Sequence, residues 1–213
     1  MSLRLTRAII RRVERASSIE RARFDHSPNA CCGICRIPDF RANLVRQTQI
    51  DIIAYFQKAR DLGHDGVARK TRIVDARDAR PDEIVVTVIK GEGKETQSPP
   101  AKAGDMVVRN RCPETGNEEF LVPSAKFASR YEGPTGPASE GGWRPYRPRG
   151  ADMRFVVVTE KDGDFTFTAP WGEAMIARPG DAIVQDAQDA KDTYRVQKAA
   201  FACTYEEIRS PSK

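Results

Sequence analysis

The chain has 213 residues, of which 39% are hydrophobic and 31% charged, and a net charge of +5. No apolar run approaches the roughly 18–20 residues of a membrane-spanning helix, so no membrane span is expected, and the length suits one or two globular domains. The charge is uneven: there are 17 Lys and Arg against 9 Asp and Glu up to Arg80, and 18 against 21 from Pro81 onward. A basic arm ahead of an acidic body suits nucleic acid or another anionic partner, and equally suits a solvated helix surface.

Residues 3–24 read as an amphipathic helix, with Leu3, Thr6, Ile10, Val13 and Ser17 at steps of three or four and seven arginines around them. The stretch lacks the continuous apolar region of a secretory signal, and Glu14 and Glu20 count against a transit peptide. The five cysteines are therefore expected as reduced thiols, and the location as cytoplasmic. Residues 25–38 form a loop around Pro28, Gly33 and Pro38. It holds the sharpest local cluster, His26, Cys31, Cys32 and Cys35, in which Cys32 and Cys35 have the CxxC spacing that lets two thiolates chelate one zinc. His26, and Cys31 or His64, could complete such a site. A second close pair is missing and no βαβ pattern surrounds the motif. The expectation is no cofactor, with zinc at these residues as the alternative. Asp39 is placed to cap a second helix, Phe40 to Leu62, ended by Gly63. Val45, Thr48, Ile52, Tyr55, Phe56, Ala59 and Leu62 share one face, expected to bury against the first β unit or another subunit.

From Val67 the character is β: short β-branched runs at Ile73-Val74, Ile84–Ile89, Met106–Val108 and Glu119–Val122, separated by turn residues. Residues 132–151 are rich in Gly and Pro, although Trp143 and Tyr146 predict that their second half packs on a domain. Strands return at Phe155–Val158, at Phe165, Phe167 and Ala169 alternating with Thr166 and Thr168, at Ala174–Ala177, at Ala182–Val184 and at Tyr194–Val196.

These two β stretches share a register. Gly104-Asp105 matches Gly180-Asp181, Val107-Val108 matches Ile183-Val184, and Phe120-Leu121-Val122 matches Tyr194-Arg195-Val196. Phe127, Tyr131 and Glu132 match Phe201, Tyr205 and Glu206. Self-similarity of this kind fixes architecture. The fold class expected is α+β: N-terminal helices followed by two tandem small β-rich, barrel-like domains of the same fold. The boundaries are 1–66 for the basic helical segment, 67–132 for the first repeat, 133–144 for a linker and 145–208 for the second repeat.

The Pro179-Gly180-Asp181 turn, Ile183-Val184, Tyr194-x-Val196 and the ending Phe201, Tyr205, Glu206 resemble the PGDYG-motif domain, a small bacterial and phage-associated domain. Tyr146-Arg147-Pro148-Arg149 and Trp171-Gly172-Glu173 add to the likeness, which covers about 60 residues per copy. In the first copy Ala103 replaces the proline, and Met106 and Ala182 stand where the family has its tyrosine. The resemblance implies a compact β-rich fold and brings no catalytic assignment.

Gly-Asp pairs are turn chemistry: Gly supplies positive φ and Asp bonds nearby backbone. The functional alternative makes Asp105 and Asp181 two carboxylates of a shared catalytic cleft. Neither histidine falls within the repeats, which excludes a His-dependent triad or cupin-type metal site there. Cys112 and Cys203 occupy non-equivalent positions, which excludes a site encoded in both copies. The lead-ins Arg69, Lys70, Arg72 and Arg147, Arg149, with Trp143, Tyr146 and Trp171, place basic side chains beside aromatics. The function expected is a non-catalytic binding or accessory protein, with an anionic ligand or a protein partner held between the copies. The alternatives are nucleic-acid binding by the N-terminal arm and an enzyme built on Asp105 and Asp181.

Overall fold

The computed structural model describes residues 48–211. The helix expected over 3–24 and the His26, Cys31, Cys32 and Cys35 cluster lie outside the described residues. The second helix begins later than its periodicity suggests. Thr48–Gln49 is a short strand, β1, and helix α1 runs over Ile52–Asp61. Asp51 sets the start: it is extended, and its carboxylate accepts from the amides of Ile53 and Ala54 at 2.9 and 3.1 Å, which satisfies two of the otherwise orphaned first-turn donors. Gly63, at φ 75°, follows its C-terminal end.

The first half of the β region contains β2 (Gly66–Lys70), β3 (Val74–Asp78), β4 (Val86–Ile89), β5 (Gly93–Gln97), β6 (Met106–Asn110), β7 (Glu119–Val122), helix α2 (Ser124–Arg130) and β8 (Tyr131–Glu132). The second half contains β9 (Arg144–Pro148), β10 (Asp152–Val157), β11 (Phe165–Thr168), β12 (Ala174–Ala177), β13 (Ala182–Asp186), β14 (Thr193–Val196), helix α3 (Lys198–Thr204) and β15 (Tyr205–Arg209). Two five-stranded antiparallel sheets result, in the orders β7-β6-β3-β9-β8 and β14-β13-β10-β2-β15.

Each sheet therefore takes one strand from the other half of the chain. β2 lies between β10 and β15, with Ala68 opposite Met153 and Lys70 opposite Tyr205. β9 lies between β3 and β8, with Tyr146 opposite Val74 and Pro148 opposite Tyr131. The expected boundaries at 67–132 and 145–208 cut across this exchange, because alternating patterns mark a strand without naming its partner. No pairing among the described residues closes either sheet into a barrel.

The helix α1 stripe also finds a partner other than the expected first β unit. Ile52 and Phe56 are buried with Val156, Phe165, Phe167 and Met175, all from the second half. The described residues fall within one compact unit, which includes α1, so the expected boundary after residue 66 falls inside it.

Two further cores underlie the sheets, one holding Val74, Val108, Val122, Phe127 and Tyr131, the other Ala68, Phe155, Val184 and Phe201 with Tyr205 packed against it. In each, the Phe at the middle of a short helix stacks on the Tyr that follows its last residue, with ring centroids 5.0 Å apart in both Phe127–Tyr131 and Phe201–Tyr205. The second core presses β2 close to β10. A Cβ on Gly66 would lie 2.3 Å from Phe155 Cε1 and 2.7 Å from the Arg209 carbonyl oxygen. Gly66→Ala should cost about 1–3 kcal/mol as an overpacked site, read as a lower urea midpoint at unchanged slope. An unchanged midpoint would mean that β2 is not seated between β10 and β15.

Candidate functional site

A cavity of about 470 Å³ is lined by residues of both halves, within the range of small-molecule sites. The exchanged strand β2 contributes one residue, Lys70, to its lining. Lys70 is the last residue of β2, and its Nζ donates to Asn110 Oδ1 of β6 at 2.8 Å. Asn110 Nδ2 in turn donates to Glu118 Oε1 at 2.6 Å, and Glu118 accepts from the Thr115 hydroxyl. The Lys70 ammonium also sits 5.1 Å from the centroid of the Phe120 ring and 6.0 Å from those of Tyr131 and Tyr205, within cation–π range. It is half-buried by surface yet deep in the fold, and burial lowers its pKa from 10.5 to about 8. Tyr194 and Glu118 oppose that shift and Arg130 adds to it.

Other cations on the walls, apart from the exposed Lys102, are paired to carboxylates. Arg130 bonds Asp186 and Asp192, and Lys126 bonds Asp192 at 2.9 Å. Arg195 of β14 is almost wholly enclosed, with 2% of its side chain exposed. It donates to Asp181 at 2.6 Å, Glu95 at 2.8 Å and Glu92 at 2.9 Å. Glu92 also accepts from Arg178 and Gln197, so this cluster ties the β4–β5 hairpin to the second half. Burial raises the Glu95 carboxyl to about 7, partly offset by Arg195. Burial also pushes the Tyr131 hydroxyl up to about 12 and raises those of Tyr194 and Tyr205, so the rings keep their protons at neutral pH.

Of the expected contacts, Lys70 and Trp171 line the cavity, and Trp171 donates to Thr96 across it at 3.1 Å. The others do not line it. Trp143 is 9% exposed, in a core with Val85 and Val107 beneath the Arg77 and Arg109 guanidinium groups. Tyr146 packs edge-on to Phe127. Arg69 is held by Asp152, and Arg147 and Arg149 face Glu132. Arg72 is exposed.

Asp105 lines the cavity and Asp181 does not. Both spend their oxygens the same way. Asp105 accepts from the amides of Lys102 and Ser124, and Asp181 from those of Arg178 and Lys198. Each thus joins its own turn, whose glycine has φ 85° or 92°, to the first turn of the following helix.

Sequence reasoning missed Asn110, Glu118 and Arg195. The signal for Arg195 was present: a charge stands where the matched stretch has Leu121. It also separated Cys112 from Cys203, which the fold brings together with Glu114. No helix among the described residues is long and apolar enough to cross a membrane. No protein-family model, curated protein or solved structure matches the chain.

Proposed function

We propose that residues 66–209 are a tandem duplication, akin to paired PGDYG-motif domains, whose halves exchange their lead-in strands, and that the protein is a non-catalytic binding module for an organic anion with an apolar body. The matching strand orders, the paired Asp105 and Asp181 contacts and the two Phe–Tyr stacks support the duplication. The observation that carries the function is Lys70. It is a cation aimed at a partly apolar cavity, and its direct partner is the neutral Asn110. Its remaining N–H donors suit a carboxylate, sulfonate or phosphate, and the Phe120, Tyr131, Tyr205 and Trp171 rings suit an apolar body.

Anilinonaphthalene sulfonate, an apolar anion, tests the reading. Fluorescence titration of the full chain should show a saturable site whose affinity falls as pH rises through about 8, where Lys70 loses its charge. Lys70→Met should weaken binding about tenfold or more, because hydrogen bonds to charged groups contribute about 1.5–3 kcal/mol. Equal affinity in the variant would sink the assignment.

A further inference from the structure

We infer that Cys112, Glu114 and Cys203 form a binding site for a divalent cation of borderline softness, of the zinc class. The three ligand atoms lie within 4.8 Å of one another. Both thiols face one carboxylate oxygen: Glu114 Oε2 is 3.4 Å from Cys112 Sγ and 3.6 Å from Cys203 Sγ. A tetrahedral ion with metal–sulfur bonds of about 2.3 Å and metal–oxygen bonds of about 2.0–2.2 Å holds its sulfur and oxygen ligands roughly 3.5 Å apart. Both sulfur–oxygen edges already have that spacing, and the sulfur–sulfur edge is no longer than 4.8 Å. Two thiolates with a carboxylate are a donor set that zinc accepts.

The elements that carry the ligands are fixed independently. Cys112 is buried two residues past β6, and its carbonyl accepts from the Thr115 and Asn117 amides, which tightens the loop that presents Glu114. Cys203 lies in the last turn of α3. Each thiol reaches the other's backbone, Cys112 towards the Ala199 carbonyl and Cys203 towards the Arg111 carbonyl, both at 3.7 Å. Glu114 is exposed and Cys203 partly so, which leaves the fourth tetrahedral position for water. The site joins the two halves of the chain at a point separate from the Lys70 cavity, and it does not depend on the function proposed above.

Cobalt(II) added to the full chain is the probe, because thiolate–cobalt charge-transfer absorption counts thiolate ligands. Cys31, Cys32 and Cys35 are replaced by serine so that they cannot contribute, and free thiols are counted first to establish that Cys112 and Cys203 are reduced. The expected result is one cobalt per chain with a charge-transfer band that zinc abolishes by displacement. Cys203→Ser should at least halve the band. Glu114→Gln changes an exposed side chain with no bearing on folding, and should weaken cobalt by more than the roughly 10–100-fold that loss of an outer-shell partner costs. Absence of the band in the reduced protein, a band indifferent to Cys203→Ser and Glu114→Gln, or a Cys112–Cys203 disulfide in the protein as purified would overturn the inference.

Discussion

Arg195→Leu is expected to lower stability at pH 7 by about 3–5 kcal/mol, the cost of removing one partner from a buried ion pair. Leucine is the informative choice, because Leu121 stands at the matched position of the other half. The loss is not shared evenly among the three carboxylates that Arg195 holds. Asp181 keeps its two backbone amides, and Glu92 keeps Arg178 and Gln197. Glu95 is 9% exposed, and its one bonded side-chain partner among the described residues is Arg195. In the variant the cost falls on Glu95, whose carboxyl is already raised to about 7 by burial. Without Arg195 the carboxyl is raised further, above about 7, so the destabilisation should shrink as pH falls from 9 towards 7 and level off below that, where Glu95 is protonated in both folded proteins. Glu95→Gln in the same chain should restore more than about 1 kcal/mol, the scale of coupling between contacting residues. Urea denaturation of the four proteins of this cycle at both pH values measures all three quantities. A single-variant cost below about 1 kcal/mol would place Arg195 among ordinary surface pairs and remove the tie between the β4–β5 hairpin and the second half.

Local chemistry was legible in the sequence, and partners were not. The Gly-Asp turns, the alternation of Phe165 and Phe167 with threonines, and the four-residue spacing of Phe127–Tyr131 and Phe201–Tyr205 each encode a nearest-neighbour preference, and each is found in the fold. The start of α1 was misread because the sequence reading took Asp39 as the cap, whereas Asp51 immediately precedes the helix that buries Ile52 and Phe56. The strand exchange left no local mark. β2 and β9 are short, polar-rich strands, and nothing in GVARK or RPYRP says which half will bond to them. The site inherits that gap. Lys70 was read as part of a basic lead-in beside Arg69 and Arg72. Alternation along β2 instead sends Arg69 to Asp152 at the surface and Lys70 to Asn110 of the other sheet. Cys112 and Cys203 meet for the same reason, through contacts between halves that a residue-by-residue alignment of the two copies cannot contain.

Lys70 should be a liability to the fold at neutral pH. Its pKa is about 8 in the folded chain against an ordinary 10.5, a difference equivalent to roughly 3 kcal/mol. Below pH 8 both states carry the proton and the folded state bears the full cost of burying the charge. Between about pH 8 and 10.5 the unfolded chain binds more protons, so this contribution to stability rises with pH. The groups facing Lys70 are Tyr131, Tyr194 and Tyr205, Glu118 and Arg130. The tyrosines are raised by burial and therefore lower stability above pH 10, so they enter the difference between the two proteins only above pH 10, through the contact of Lys70 with Tyr194. Lys70→Met removes the charge and leaves Asn110 Oδ1 without its donor, which costs about 1–3 kcal/mol. At pH 7 the variant should equal or exceed the wild type by up to about 2 kcal/mol, while losing the anionic dye. Its advantage should fall by roughly 3 kcal/mol between pH 8 and 10.5, enough to reverse its sign. A lysine that merely supported the fold would give the opposite result, a variant less stable at pH 7 by an amount independent of pH. Stability retained together with binding lost is the signature of a residue kept for its ligand rather than its packing, and these two curves, measured on the same two proteins, separate the cases.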